Sequence, residues 1–338
     1  MMKRSILALL ALSLTIPAAR AQSPDGPKAE NRTGALMVEA ARRFLGTLDD
    51  DRRAKATFAF DDPERLNWHW IPRPRKGLPV KAMTHFQRPL AFGLLQVGLS
   101  DKGAVTAATT MSYEEIIRID EHDDGRVRDP ELYYVSVFGK PGDGKWGWRW
   151  EGHHLSLNYT LDGDEIVSVT PFMIGSNPAK VVSGPNTGLR NLAAIQDPIY
   201  KLVASLTPEQ KKVAILSDVA PHIPSSPDAD AAKPLPAGKD GLEYDDMTDE
   251  QKTLLRSAAA GYLGLYSEAG RELLIEALRR GEGRRTFAWY GPTDPSQPHA
   301  FRLQGPDVLI DFNNQQNGGN HIHTFFRDHG DDFGKKAE

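Results

Sequence analysis

The stretch that decides the fold is residues 132–172, LYYVSVFGKPGDGKWGWRWEGHHLSLNYTLDGDEIVSVTPF. Leu132–Phe138 is rich in β-branched and aromatic residues, and Pro141-Gly-Asp-Gly144 has turn chemistry. Trp146–Thr160 predicts one long aromatic strand, and a second glycine turn leads into a strand over Glu165–Phe172. We predict a meander of at least three strands, antiparallel because the connections are short.

Helical patterns and a second block of strands flank this meander. The predicted helical segments are residues 34–60, 83–99, 112–120, 190–217 and 246–280, and the predicted C-terminal strands are Thr286–Tyr290, Ala300–Gln304, Val308–Asn313 and His321–Phe326. The order has no βαβ rhythm, so we predict an α+β fold. Each strand block alone would leave an unpaired edge and a bare face, which favours one antiparallel sheet built from both blocks and packed with the N-terminal and central helices.

The first 21 residues have the layout of a cleavable signal peptide. Two cations precede the apolar run Ile6–Ile16, which is too short to span a bilayer, and Ala19-Arg20-Ala21 supplies small residues for cleavage. We therefore expect an exported, periplasmic or secreted protein with no membrane anchor. Residues 22–33 are expected to be a flexible N-terminus, and 34–334 a single domain with a Pro/Ala-rich surface loop at 221–240.

Composition excludes some partners but assigns no chemistry. The formal net charge is −4, and loss of three cations with the signal peptide makes it more negative, which disfavours nucleic acid and anionic membranes as partners. The chain has no cysteine, which excludes disulfides and thiolate ligands. The one basic cluster, Arg73-Pro-Arg-Lys76, is interpreted as a solvated loop rather than a phosphate site.

The ten histidines are the most informative residues for function. His321 and His323 alternate in a predicted strand, so both imidazoles point to the same face, about 7 Å apart along the strand. Two imidazoles so placed offer two nitrogens to one metal ion. Arg327 has the same parity and is a candidate for binding an anionic group, and Asn158 or Asn320 is a candidate for orienting a ligand.

A second candidate centre is Gly152-His-His-Leu-Ser-Leu-Asn158. If the strand is unbroken, one face carries an aromatic floor that leads to a polar patch, suited to a sugar or another flat ligand. The side chains of that face are Trp146, Trp148, Trp150, His154, Ser156 and Asn158. The alternative is that the tryptophans cover the sheet under the helices. Gly152 weakens the argument, because glycine often marks a bulge.

The segment Trp68-His69-Trp70 is a candidate for closing such a pocket, although a loop anchored by two buried tryptophans fits the same residues. The sequence contains no Gly-x-Ser-x-Gly elbow, no His-Glu-x-x-His helix and no cysteine nucleophile. Standard hydrolase motifs therefore do not identify the reaction.

Several motifs together resemble an exported, mostly bacterial family known as Domain of Unknown Function 3500. They are Asn67-Trp-His-Trp-Ile-Pro72, Trp148-Arg-Trp-Glu-Gly-His-His-Leu-Ser-Leu-Asn158, Gly175-Ser-Asn-Pro178 and Asn320-His-Ile-His323 followed by Arg327-Asp328. The resemblance covers most of the chain after the signal peptide and implies no activity.

Three hypotheses for function follow from these residues. The first is a metal-dependent enzyme, in which His321 and His323 meet His153 or His154 at one divalent transition metal, with a small-molecule substrate. Nitrogen ligands alone do not identify the metal. The second is a non-catalytic periplasmic protein that binds a carbohydrate or aromatic ligand on a tryptophan-lined face, and the third is a structural or partner-binding envelope protein.

Overall fold

The computed structural model describes residues 29–221, 241–280 and 285–337. The predicted signal peptide, residues 22–28 and all of the predicted 221–240 loop except its first residue lie outside these ranges. The α-helices are α1 (Ala29–Gly46), α2 (Asp50–Ala56), α3 (Gln87–Gly98), α4 (Asp101–Asp120), α5 (Ala193–Ser205), α6 (Pro208–Ala214), α7 (Asp249–Leu263) and α8 (Glu268–Arg279). None of these described helices has both the length and the apolar composition needed to cross a bilayer.

The strands of the described residues belong to one sheet. They are β1 (Thr57–Phe58), β2 (Leu78–Pro79), β3 (Tyr134–Lys140), β4 (Asp143–Gly152), β5 (Leu155–Asp162), β6 (Glu165–Ser168), β7 (Phe172–Ser176), β8 (Ile215–Ser217), β9 (Leu242–Glu243), β10 (Thr286–Tyr290), β11 (Ala300–Gln304), β12 (Val308–Gln316) and β13 (His321–Asp328). The main path runs β1-β3-β4-β5-β7-β13-β12-β11-β10-β8, while β2 pairs with β3, β6 with β5 and β9 with β10.

The central and C-terminal strand blocks join where β7 pairs with β13. This pair is antiparallel and places His323 opposite Gly175. The predicted α+β fold, with one sheet built from both blocks, is confirmed. Only the short outer strands β1 and β8 pair in parallel among the described strands.

The predicted long strand over residues 146–160 is wrong, because the chain turns back at His153 and His154. β4 and β5 form a hairpin with Gly152 opposite Leu155. His154 has a φ of 61°, a left-handed conformation in which histidine is enriched among non-glycine residues. The turn reverses the predicted parity, because residues directly opposite in an antiparallel pair lie on the same face.

One face of the sheet, here called the helix-covered face, contains the three tryptophans of β4. Trp146, Trp148 and Trp150 lie opposite Leu161, Tyr159 and Leu157 and are at most 1% exposed. The Phe92 ring of α3 packs on Trp150 at 5.0 Å. The prediction that these tryptophans share a face with His154, Ser156 and Asn158 was wrong, and the alternative, a core under the helices, is what the structure has.

The opposite face, here called the loop-covered face, is covered by residues 60–76. It contains the buried ion pairs that Arg149 makes with Glu64 at 2.7 Å and with Glu151 at 3.0 Å. Trp68 and Trp70 pack there on Phe325 of β13, with ring centroids 6.3 and 4.7 Å away. The parity of β13 places His321 and His323 on this same face.

Capping explains why the predicted helix at 34–60 is two helices and a short strand. Asp49 accepts a hydrogen bond from the Arg52 N–H and starts α2 after a break. Thr207 and Thr248 start α6 and α7 with capping boxes, which the sequence signals Thr-x-x-Gln at these positions indicate.

Candidate metal centre

The two histidine motifs meet at one end of the loop-covered face. The β4–β5 turn is fixed by two backbone hydrogen bonds: the His154 N–H donates to the Trp70 carbonyl at 2.9 Å, and the Gly175 N–H donates to the His154 carbonyl at 2.8 Å. Because Gly175 also pairs with His323 across β7 and β13, the turn lies beside the start of β13.

Three imidazole nitrogens converge there. His154 Nε2 lies 2.7 Å from His321 Nε2 and 3.2 Å from His323 Nε2. Ligand atoms of His153, His154 and His321 all lie within 4.8 Å of one another. In a tetrahedral site with metal–nitrogen bonds of 2.0–2.1 Å, ligand nitrogens are about 3.3 Å apart. The spacing therefore fits a shared metal ion after small side-chain adjustments.

His153 is held by groups outside both histidine motifs. Its ring stacks on His154 with centroids 3.7 Å apart, and its Nδ1 lies 2.5 Å from Glu114 Oε1 on α4. Arg128 Nη1 lies 3.3 Å from the same nitrogen. The Tyr133 hydroxyl donates to the His153 carbonyl at 2.6 Å. When the Nδ1–H donates to Glu114, Nε2 has the lone pair that His153 can offer to a metal, and the 3.3 Å contact with Arg128 Nη1 is then not a hydrogen bond.

Two glycines make room for the rings. A Cβ on Gly175 would lie 2.6 Å from the Ile322 carbonyl oxygen and 2.7 Å from His154 Cδ2, and one on Gly152 would lie 2.3 Å from the Tyr133 ring. Gly152 and Gly175 therefore allow close packing around the histidine cluster.

The four imidazoles are neutral at neutral pH. Burial lowers the pKa of His321 to about 4. Burial also lowers the pKa values of His153, His154 and His323 well below the ordinary 6.5, with further lowering by neighbouring cations or histidines. Neutral imidazole is the form that binds metals, so the lone pairs are available.

Glu114 is also a neutral group in this environment. Burial raises the pKa of its carboxyl to about 8, against the opposing effect of Arg128. Burial therefore disfavours the charged form of both groups in the contact between Glu114 and His153. Such a carboxyl partner fixes the orientation and tautomer of a metal-binding histidine.

The donor set fits a transition metal. His153, His154 and His321 could hold one metal ion, and imidazole nitrogen suits zinc, copper, iron and nickel. His323 Nδ1 is buried without a hydrogen-bond partner among the described residues, so this ring is held through its other nitrogen and its packing.

A cleft of about 310 Å³ opens beside the cluster. Its wall includes His153 and Glu114, whereas His154, His321 and His323 are not among its lining residues. The other lining residues are Pro72, Arg73, Pro74, Arg75, Arg126, Val127, Asp129, Leu132, Tyr133 and Tyr134. The predicted solvated loop at 73–76 is thus wrong for Arg75, whose side chain is 3% exposed and lies against Glu151.

The structure does not bring the predicted catalytic residues to the cluster. Arg327 pairs with Asp332 at 2.5 Å and lies over the Trp68 ring, about 13 Å along β13 from His323. Asn158 donates to the Pro171 carbonyl at 2.9 Å, deep in the loop-covered face.

Asn320 precedes His321 but is engaged elsewhere. Its side chain accepts from the Lys180 N–H at 2.7 Å and donates to the Lys180 carbonyl at 3.2 Å. It therefore holds the chain after β7 against the start of β13.

The predicted ligand-lining residues at 68–70 anchor a loop instead of exposing rings to a pocket. Trp68 and Trp70 are 3% and 4% exposed. His69 Nε2 lies 2.8 Å from Asn67 Oδ1, and burial together with nearby arginines lowers its pKa to about 4. The segment touches the cluster through the Trp70 carbonyl.

Sequence reasoning missed Glu114, Arg128 and Tyr133. Nothing distinguishes Glu114 among 45 acidic residues, because its role depends on α4 packing against the β4–β5 turn. Its burial at 2% exposure is visible only in three dimensions.

Searches of curated proteins and of solved structures found no match to the chain. The sequence profile of one protein family does match, over residues 30–335, and this range contains every motif on which the resemblance rested. The chain therefore belongs to the family described as "Protein of unknown function (DUF3500)".

Proposed function

We propose that this protein is a metal-dependent enzyme whose single transition-metal ion is bound by His153, His154 and His321, with His323 beside them. The observation that carries the proposal is the 2.7 Å approach of His154 Nε2 to His321 Nε2, between residues 167 positions apart in the chain. Burying imidazoles from two separate motifs costs free energy, because their polar nitrogens lose contact with water. A sheet that needs only packing would not require them.

Two further features support an enzyme over a purely structural histidine cluster. The Glu114–His153 contact has the form of a carboxyl partner to a metal ligand. The cleft with His153 in its wall offers space for a small molecule next to one of the proposed ligands. A bound metal would supply Lewis acidity or activate a water molecule. His153 and Glu114, in the wall of the cleft, would orient a substrate bound there.

The tryptophan-lined binding protein has less support. Trp146, Trp148 and Trp150 are at most 1% exposed, so stacking on a sugar would require the helices to leave the sheet. The cleft beside His153 offers the partly exposed Tyr134 instead.

Elemental analysis of untagged protein tests the proposal. After incubation with zinc, copper, iron or manganese followed by desalting, we expect about one metal ion per chain for one of these metals. The variant His154→Ala, His321→Ala should retain less than a tenth of that content, and the exposed His85→Ala control should retain all of it. Equal content in all three proteins would contradict the assignment of ligands.

We also propose that the protein is exported, on the basis of the signal-like residues 1–21. N-terminal sequencing of the fraction released by osmotic shock should find Gln22 as the first residue. Recovery of intact Met1 in the membrane pellet would contradict it.

A further inference from the structure

The cleft beside His153 has chemistry that selects a particular class of ligand. Its wall combines an apolar part, built by Pro72, Pro74, Val127, Leu132, Tyr133 and Tyr134, with three arginines. A bare inorganic ion would leave the apolar part of the wall without a partner, whereas a small organic molecule would cover it.

The charges around the cleft do not cancel. Asp129 is bound to Lys81 at 2.6 Å, and Glu114 is hydrogen-bonded to His153. Both carboxyl groups of the wall are therefore already engaged, and the cleft keeps a positive balance that favours an anionic ligand.

The three arginines differ in what they are free to bind. Arg126 is paired with Asp124 at 2.7 Å. Arg75 is buried and its Nη2 donates to three backbone carbonyls, including that of Gly152 at 3.1 Å. Arg73 has no carboxylate partner among the described residues: its Nη1 lies 3.0 Å from His69 Nε2, and its Nε donates weakly to Pro74.

The geometry points to a small organic carboxylic acid as the ligand of this cleft, with its carboxylate at Arg73 and its apolar body over the partly exposed Tyr134, on the wall that includes His153. This inference rests on the proposed function for the reacting centre, but the binding site itself is built from residues outside the metal ligands, except His153. Arg73 is then the residue that determines specificity for an anion, because its planar guanidinium suits two-point binding of a carboxylate.

The test uses the full chain, metal-free and zinc-loaded, with benzoate, benzyl alcohol and inorganic phosphate as probes in calorimetric titrations. We expect benzoate to bind more tightly than benzyl alcohol, which has the same ring without the charge, and more tightly than phosphate, which has charge without an apolar body. Arg73→Gln should weaken benzoate binding by about tenfold or more, as expected for a charge-assisted hydrogen bond. The control Arg118→Gln, an exposed ion-pair partner of Glu115 on α4, should stay within about twofold of the wild type.

The outcomes separate this inference from the proposed function. Benzoate binding that depends on Arg73 in a protein that takes up no metal supports the cleft and contradicts the metal centre. Normal metal uptake, with benzoate bound no better than benzyl alcohol or bound equally by Arg73→Gln, overturns the inference and leaves the metal centre intact. Phosphate bound most tightly, with loss in Arg73→Gln, overturns the choice of a carboxylic acid.

Discussion

Glu114 is the residue through which α4 acts on the candidate metal centre. Its carboxyl lies 2.5 Å from His153 Nδ1 and is 2% exposed, so little solvent competes for the contact. Removing the partner of a metal-bound histidine typically weakens metal binding by 10–100-fold, because ring orientation and tautomer are no longer fixed.

We expect Glu114→Ala to lower metal affinity by about 10–100-fold, and Glu114→Gln, which keeps an acceptor for an N–H at Nδ1, to recover part of the loss. Competition titration against a chromophoric chelator measures both. Glu115→Ala, at the neighbouring exposed position that pairs with Arg118, is the matched control. Affinities that are equal in Glu114→Ala and Glu115→Ala would mean that Glu114 does not orient a ligand.

His299 lies away from the histidine cluster, and its protonation makes the stability of the fold depend on pH. It is fully buried and stacks between Trp289 and Phe312, with ring centroids 4.6 and 5.7 Å away. Its Nδ1 lies 2.8 Å from the Gln297 carbonyl oxygen, and burial lowers its pKa to about 4 from 6.5. Between these two pH values the unfolded chain binds a proton that the folded chain does not, so stability is present above pH 6.5 and is lost as pH falls toward 4.

One such group makes the free energy of unfolding fall by about 2 kcal/mol between pH 7 and pH 5. His299→Phe should remove that contribution, so the fall between these pH values should be smaller in the variant than in the wild type by about this amount. Urea unfolding at both pH values measures it, with His85→Phe at an exposed position as the control. The same pH dependence in wild type and His299→Phe would contradict the burial of a neutral imidazole at this position.

At the scale of elements, the pairing of β7 with β13 brings the histidine motifs together. Gly175 is central to this pairing, since it lies opposite His323. Its carbonyl accepts a hydrogen bond from the Thr110 hydroxyl at 3.2 Å, and its lack of a side chain leaves space for the His154 ring. A side chain here cannot be accommodated without moving backbone or ring.

Gly175→Ala should destabilise the fold by about 1–3 kcal/mol, as overpacking of a tight site does, and weaken metal binding by displacing the His154 ring. Gly93→Ala is the matched control, because a Cβ there would meet nothing within 4 Å and alanine favours the helix. Denaturant unfolding and the chelator competition give the two readouts. A Gly175→Ala variant as stable as Gly93→Ala, with unchanged metal affinity, would contradict the close packing described here.

The elements also show what could be predicted from the sequence. The α+β class and the single sheet follow from local patterns of alternation and turn residues. The Thr-x-x-Gln sequences at Thr207 and Thr248 likewise match the N-caps that the structure has at α6 and α7. The turn residues alone do not predict the hairpin at His153-His154, because neither residue is a usual two-residue turn former. The signal that marks the turn is a change of phase, since the large apolar residues are at even positions up to Trp150 and at odd positions from Leu155. The error in parity followed directly from that missed turn.

The same limit applies to the candidate site. Two histidines at i, i+2 on a strand identified His321 and His323 as neighbours, since strand geometry is local. Their meeting with His154 depends on the strand order β5-β7-β13, a property of the whole sheet. The structure places Arg327 beside Asp332 and Asn158 beside Pro171, away from the histidine cluster.

At the scale of the whole molecule, a metal ion would link the two halves of the sheet. His153 and His154 come from the β4–β5 turn and His321 from β13, so the unfolded chain cannot offer the same site. A ligand that binds only the folded state adds about 2.7 kcal/mol to stability at a concentration one hundred times its dissociation constant.

We therefore expect the preferred metal to raise the unfolding midpoint of the wild type by several degrees. The same metal should leave the midpoint of His321→Ala, His323→Ala unchanged in differential scanning calorimetry. An equal rise in both proteins would place the stabilising metal elsewhere.

In the proposed centre, imidazoles from both motifs bind one metal ion. X-ray absorption fine structure at the edge of the bound metal tests this assignment, since it counts the imidazole scatterers around the ion. We predict at least three imidazole nitrogens at about 2.0–2.1 Å in the wild type, falling by one in His154→Ala and unchanged in His85→Ala. A shell of oxygen atoms with fewer than two imidazoles, or a spectrum that is the same in the wild type and His154→Ala, would contradict it.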